Sequence, residues 1–416
     1  MKFEEIFEPA YFRHFFCNGP ECPDTCCSGW DIVIDAATSQ RYASCEDVRL
    51  KALFSKHLDF ERKSTIPSQT YVKLEQQSCP FLTEERLCQI QQRLGEDALS
   101  LTCSTYPRFF NQINGVLERS LCISCFKAAQ LILLKKEPMQ FIRSKEPVTL
   151  RPQTFGAIRS SSEVMLKPYA YFATIREFVF ELLQNRDYPL WQRLSLLSVF
   201  CSRLGQVQEQ YYEEDIPYLL SYFRDRIQHD DFRQAMDVFE TDLETQLQVL
   251  IALLNYRMQG DFIGERFQAC MHAFMQGLGM KEYTVNSDVV EAYALVNQQY
   301  YLPFLKEHEY VLENYLVNSV FQKLFPLGPQ ENGIAESCEI YEEYILLALH
   351  YAMMQALLIG LAGFHKKSFN VTHVVDLIQA YEKTIGHNLS FRLQAIKFIK
   401  TLQMDTTGGM SVLVKV

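Results

Sequence analysis

Four cysteines fall within eleven residues, from Cys17 to Cys27, in the run C-x4-C-x3-C-C. Cys45, Cys79, Cys88, Cys103, Cys122 and Cys125 follow, so ten of the thirteen cysteines precede residue 126 and ask for one chemical cause. Three causes compete: disulfide staples, a metal or iron-sulfur site, and small buried side chains. The opening Met-Lys-Phe-Glu-Glu-Ile-Phe-Glu has acids where a signal peptide needs bases, and no long apolar run follows it. A cytoplasmic location is therefore expected, where thiols stay reduced. Burial as a free thiol suits Cys201, Cys270 and Cys338, which stand singly in helical patterns. It does not account for four in eleven. Ligation does, because three or four residues between thiols let a loop curl them toward one centre.

Cys26 and Cys27 are adjacent, and in an extended segment neighbouring side chains point to opposite faces, so one ligand and one packed or second-site thiol are expected there. Only His14 and His57 accompany the cysteine-rich part, which favours an all-thiolate site. Zinc and iron-sulfur clusters both accept four thiolates, and the spacing matches neither a zinc ribbon nor a ferredoxin run. Residue chemistry leaves the two open.

The elements that must position these thiols can be read in part. Residues 1–16 read as an aromatic lead-in that packs beneath the cysteine loop. Trp30, Ile32 and Ile34 alternate as in a short strand, Asp35 is placed to cap a helix, and residues 36–60 read helical. Tyr71 to Leu74 is a second strand. Asn114-Gly115 between two β-compatible runs predicts a hairpin whose second arm carries Cys122 and Cys125 back toward the other thiols. A helix over 126–134 follows.

Residues 137–160 hold three prolines and no periodicity, which predicts a linker. Beyond it, apolar residues recur at three- and four-residue spacing in ten segments between Pro168 and Gln403. The expected architecture is mainly α: a small cysteine-rich α+β metal-binding domain over 1–136, then an all-helical domain over 161–416. The run Tyr344 to Phe364 is long enough to span a bilayer, but it carries His350 and Gln355 and has no companion span. A buried core helix, with no membrane partner, is the expectation. Net charge −10 and the absence of a basic block argue against a nucleic-acid partner.

Several stretches carry a family resemblance. The run C-x4-C-x3-C-C-S-G-W-D-I-V-I-D, then C-P-F-L with L-C-Q-I-Q and L-G-E, then L-S-L-T-C-S-T-Y-P-R, resembles the flagellin lysine N-methylases, relatives of small cysteine-rich metal-chelating domains. Glu313 to Asn318, Leu324-Phe325-Pro326, Ile378-Gln379 and His387-Asn388 are similar to that family's weaker C-terminal signatures. The resemblance implies a bacterial enzyme that moves methyl groups from S-adenosylmethionine to lysine ε-amines of flagellin. It also implies an iron-sulfur cluster, 4Fe-4S in type with zinc as the alternative, drawn from Cys17, Cys22, Cys26, Cys27, Cys79, Cys88 and Cys103. The chain departs from the family in Ser124-Cys125-Phe126-Lys127, where a proline and a glutamate are replaced, and in the added Cys122.

Other features bear on mechanism. A conventional methyltransferase holds its cofactor on a glycine-rich turn between strand and helix. Gly277-Leu278-Gly279 and Gly360-Leu361-Ala362-Gly363 lie in or between predicted helices, so a cofactor site of another kind is expected. The radical S-adenosylmethionine spacing C-x3-C-x2-C also differs from C-x3-C-C. Tyr106 and Arg108, beside a thiol, are the catalytic candidates, with a core tyrosine and a structural arginine as the competing reading. Asn314 and Asn318 share one helical face as candidate cofactor contacts, against a helix-to-helix hydrogen bond. His350 and His387 read as satisfied polar residues. The rival to the enzyme is a noncatalytic metal-bound interaction module, in which the thiol site braces the fold.

Overall fold

The hairpin turn is set by Asn114 and Gly115, which both adopt positive φ, 48° and 85°. That is the backbone an Asn-Gly pair adopts most readily, and it folds Arg108–Ile113 against Val116–Leu121. In this computed structural model the described residues are all but 1–2, 31, 60–69, 148–153, 159–166, 211–214, 237, 260–262, 329, 332–333, 336–338 and 387. Cys338 and His387, named above, and Asp31 of the run after Cys27 lie outside the described residues.

The hairpin is the centre of a five-stranded sheet. Phe3–Pro9 lies parallel to Val116–Leu121, with Ile6 opposite Leu117, and Phe141–Pro147 runs antiparallel to Phe3–Pro9 along its whole length. Thr154–Ile158 closes the far edge, parallel to Arg108–Ile113. Two expectations change here. The lead-in is a strand followed by a short 3-10 turn over Ala10–His14, and the supposed linker supplies both outer strands. Each edge strand gains its ladder only from residues far away in sequence, which periodicity within a short window does not reveal.

Phe141 carries the sheet into the helices. Its ring stacks on Phe180 of the helix Phe172–Leu183 at 4.5 Å and on Phe321 of the helix Tyr310–Gln322 at 5.2 Å. Beside it Arg176 donates to both oxygens of Glu118, at 2.8 and 2.5 Å, with both residues buried. Phe7, Phe172, Phe180 and Phe321 surround its guanidinium. One buried apolar cluster therefore extends from Tyr11 in the N-terminal segment to Val414.

The helix Ile340–His365 is the axis of that cluster. It is apolar on every face because helices pack on every side of it, and nearly all of its apolar run is buried, as befits a core helix. Gly277 and Gly360 explain the two glycine motifs: a Cβ on Gly277 would lie 1.9 Å from the Gly360 carbonyl oxygen, so the helices Glu265–Gly277 and Ile340–His365 touch backbone to backbone.

The thiol-bearing segments pack differently. Val33–Ile34, Thr70–Val72 and Leu58–Asp59 form a three-stranded sheet of two- and three-residue strands. Residues 36–60 hold two helices, Ala36–Ala43 and Val48–His57, because Asp47 accepts the Leu50 N–H and starts a second one. Asp35 caps the first as expected. Together they enclose a small second cluster around Ile34, Tyr42, Phe54, Phe81 and Ile90, with Tyr42 stacked on Phe54 at 4.2 Å.

Candidate functional site

Eight thiols line one cavity of about 300 Å³: Cys17, Cys22, Cys26, Cys27, Cys79, Cys88, Cys103 and Cys125. The local chain explains how. Cys26 and Cys27 sit in a turn, so both face the cavity and the expectation that they diverge is corrected. The Cys79 N–H bonds the Cys27 carbonyl at 2.8 Å, tying the loop to the second thiol segment. Ser100 caps the helix Leu101–Thr105 by accepting the Cys103 N–H, which sets Cys103 on the open wall of the cavity. The hairpin delivers Cys125, which sequence reasoning left out of the ligand pool although it had brought that arm toward the thiols. Cys45 and Cys201 are buried elsewhere, and all the described cysteines are free thiols.

Electrostatics mark the cavity as crowded with like groups. Burial pushes Cys79 and Cys125 up to about 12 and Cys103 to about 11, and in each case Cys26 adds to the rise. Cys26 itself is raised, first by its hydrogen bond with Cys27 and then by burial. Arg108, Lys127 and Lys383 stand on the same wall. The donor set and the cations around it suit an anionic all-thiolate group. Among the described residues no three His, Cys, Asp or Glu side chains converge tightly enough to hold an ion as they stand.

A second chamber of about 500 Å³ shares Trp30, Tyr106, Arg108 and Lys383 with the thiol cavity and adds Asp35, Phe109 and Cys122. Tyr106 is fixed by a 3.1 Å hydrogen bond with Ser124, and the indole N–H of Trp30 donates to the Cys26 carbonyl at 2.6 Å. Their ring centroids are 5.6 Å apart. Burial pushes Asp35 up, but N–H bonds from Leu101 and Thr38 outweigh it and hold the carboxyl below its usual range. Arg108 is half-buried over the Phe15 ring, and burial lowers its pKa while Glu96 and Cys17 oppose this. No described carboxylate forms an ion pair with it. Tyr106 and Arg108, the candidates the sequence offered beside a thiol, line both cavities.

The helical body reaches this wall through Lys383 and Gln379. Lys383 Nζ lies 2.7 Å from Asp24 Oδ1, and Gln379 donates to Asp24 Oδ2 and to the Ser124 carbonyl, each at 2.7 Å. Neither contact was legible beforehand, since 359 residues separate Lys383 from Asp24. Asn314 and Asn318 lie away from this wall, in contacts of the kind the competing reading named. Asn314 donates to the Lys135 carbonyl at 2.7 Å and to that of Leu133, while Asn318 accepts from Tyr11 and donates to the Leu121 carbonyl. Both amide nitrogens hold backbone carbonyls, the Asn314 Oδ1 is buried without a hydrogen-bond partner, and neither residue lines the thiol cavity or the aromatic chamber. His350 is buried and shares a 2.7 Å hydrogen bond with Tyr381.

With this geometry in hand, the comparisons define a class: the sequence profile described as the FliB lysine N-methylase C-terminal domain matches residues 176–413. The chain belongs to that family. It is 33% identical over 158 residues to a protein named lysine-N-methylase from Salmonella choleraesuis (strain SC-B67), a stretch covering 38% of each chain. A lysine-N-methylase from Salmonella typhimurium is 32% identical over the same length, again 38% of each. Over 141 residues it is 33% identical to the flagellar biosynthetic protein FliU of Salmonella muenchen, covering 33% of this chain and 83% of that one. The match thus spans about two fifths of the lysine-N-methylases. No solved structure matches.

Proposed function

We propose that this protein is a cytoplasmic methyltransferase that moves methyl groups from S-adenosylmethionine to lysine ε-amines of flagellin, with an iron-sulfur cluster drawn from the eight thiols. The observation that carries the reading is the shared wall. In a chain of the lysine N-methylase family, a thiol cavity and an aromatic chamber meet at Trp30, Tyr106, Arg108 and Lys383. The cysteine-rich segments act in this reading as a metal-binding domain on the helical body. Eight thiols exceed the four that a 4Fe-4S cluster or a zinc ion takes. Bound there, the cluster would supply a charged metal centre that braces the Cys17–Cys27 loop against Cys79, Cys88 and Cys103.

The chain's own residues do the rest. Lysine must enter as a neutral amine, and the apolar walls of Trp30, Tyr106 and Phe109 favour that form. Its nitrogen joins the methyl carbon as the carbon-sulfur bond breaks, the bonding pair stays on sulfur, and the new ammonium gives its proton to water. The Asp35 carboxylate favours the donor's sulfonium, the cation whose methyl carbon the neutral amine attacks.

The test uses full-length protein purified without oxygen, flagellin, and S-adenosylmethionine labelled in the methyl group. Label on lysine, with iron and visible charge-transfer absorption in the protein, is the expected result. Stoichiometric zinc without iron would remove the cluster. No label on lysine would leave the noncatalytic module standing.

A further inference from the structure

The aromatic chamber has features of a site for a flat, zwitterionic small molecule. Its volume of about 500 Å³ falls within the roughly 300–1,000 Å³ usual for small-ligand sites. Trp30 and Tyr106 are each anchored by a hydrogen bond, so they present fixed faces at little further cost in entropy on binding. Charges of both signs line it: Asp35, ionised by its two N–H donors, and Arg108. Lys383 also faces it but is taken by Asp24. Arg108 differs from Arg119 on the neighbouring strand, which is paired with Glu8 and Glu146. Its guanidinium has no carboxylate in ion-pair contact among the described residues, Glu96 and Cys17 acting on it only from a distance, and it rests on the Phe15 ring, 5.4 Å from the centroid. A half-buried guanidinium in that position calls for a carboxylate from outside the chain.

We infer that this chamber binds the adenosyl methyl donor, with the purine against Trp30 and Tyr106 and the amino-acid carboxylate on Arg108. The inference rests on the methyltransferase reading and adds the donor's place in it. The purine supplies the flat apolar body, the sulfonium and ammonium are the cations that Asp35 and the ring faces favour, and the carboxylate is the anion Arg108 lacks.

The chain offers its own reporter, for it holds two tryptophans. Trp30 lines the chamber, whereas Trp191 lies in the helical body beneath Lys415. Titrating the anaerobic full-length protein with S-adenosylhomocysteine should quench tryptophan emission. The quench should vanish in Trp30→Phe and persist in Trp191→Phe. Calorimetry then separates the two ends of the ligand. Arg108→Ala should weaken S-adenosylhomocysteine roughly 10- to 100-fold, as for a lost charge-assisted bond, and Arg108→Lys should recover part of it. Methylthioadenosine, which lacks the amino-acid end, should bind both proteins alike. Equal losses for the two ligands, or a quench that survives Trp30→Phe, would overturn the assignment. If label still reaches lysine in that case, only the chamber is wrong. If neither nucleoside binds and no label moves, the methyltransferase reading falls with it.

Discussion

The thiol-bearing layer and the helical body solve the problem of stability in opposite ways. The body has long helices around Ile340–His365, one continuous core, and a buried ion pair satisfied on both sides. The thiol layer has strands of two or three residues and a small apolar cluster, with eight thiols between them. Apolar burial at about 25 cal/mol per Å² offsets chain entropy only where there is enough of it, so a layer this thin depends on a bound group or on its neighbour. The lesson is a division of labour: the body holds itself and the thiol layer is held.

The largest expected effect breaks the body. Leu316 is fully buried in the helix Tyr310–Gln322, and Leu316→Asp places an unpaired charge inside the continuous core. A loss of more than about 4 kcal/mol is expected, enough to abolish cooperative unfolding in urea. If the chain kept a normal urea transition, the body would not be the self-sufficient half.

A smaller effect acts through acid. His350 is pushed down to about 3, first by burial and then by Lys323, with Arg392 adding to the fall and Glu382 opposing it. Its depressed folded pKa means that the unfolded chain takes up the proton first. The stability it contributes is complete above about pH 6.5 and lost as pH falls toward 3, at about 1.4 kcal/mol per pH unit. Urea midpoints between pH 7 and 4.5 should fall more steeply for the native protein than for His350→Gln. Equal slopes would mean that His350 is not held neutral.

What the sequence disclosed follows the same division. Periodicity placed the helices, the apolar axis, the Asp35 cap and the Asn114-Gly115 hairpin, because each depends on neighbours within a few residues. Phe141–Pro147 escaped because its order comes from Phe3–Pro9, well over a hundred residues away. Within the site, the cysteines were legible by type and spacing, and Tyr106 and Arg108 by their place beside Cys103. Lys383 and Gln379 were not, since nothing in a helix marks which of its polar residues meets a distant loop. Asn314 and Asn318 show the reverse: buried amides invite a ligand, and here the carbonyls of Leu121, Leu133 and Lys135 take their nitrogens while the Asn314 Oδ1 stays without a partner.

The smallest effect sharpens the comparison most, because it should touch one layer and spare the other. Asp24 stands between Cys22 and Cys26 and binds Lys383 and Gln379, with the ion pair only 17% and 13% exposed. Asp24→Asn keeps the shape but removes the charge opposite Lys383, at a cost of about 1–3 kcal/mol for a largely buried charge-assisted bond. If the body holds the thiol loop through this contact, hydrogen exchange should quicken over residues 17–27 and stay slow over the helix Ile340–His365. Global urea stability should fall far less than for Leu316→Asp, since the helical core does not depend on the loop. Faster exchange in both layers would show that they unfold as one unit, and the proposed dependence of one on the other would give way to a single cooperative fold.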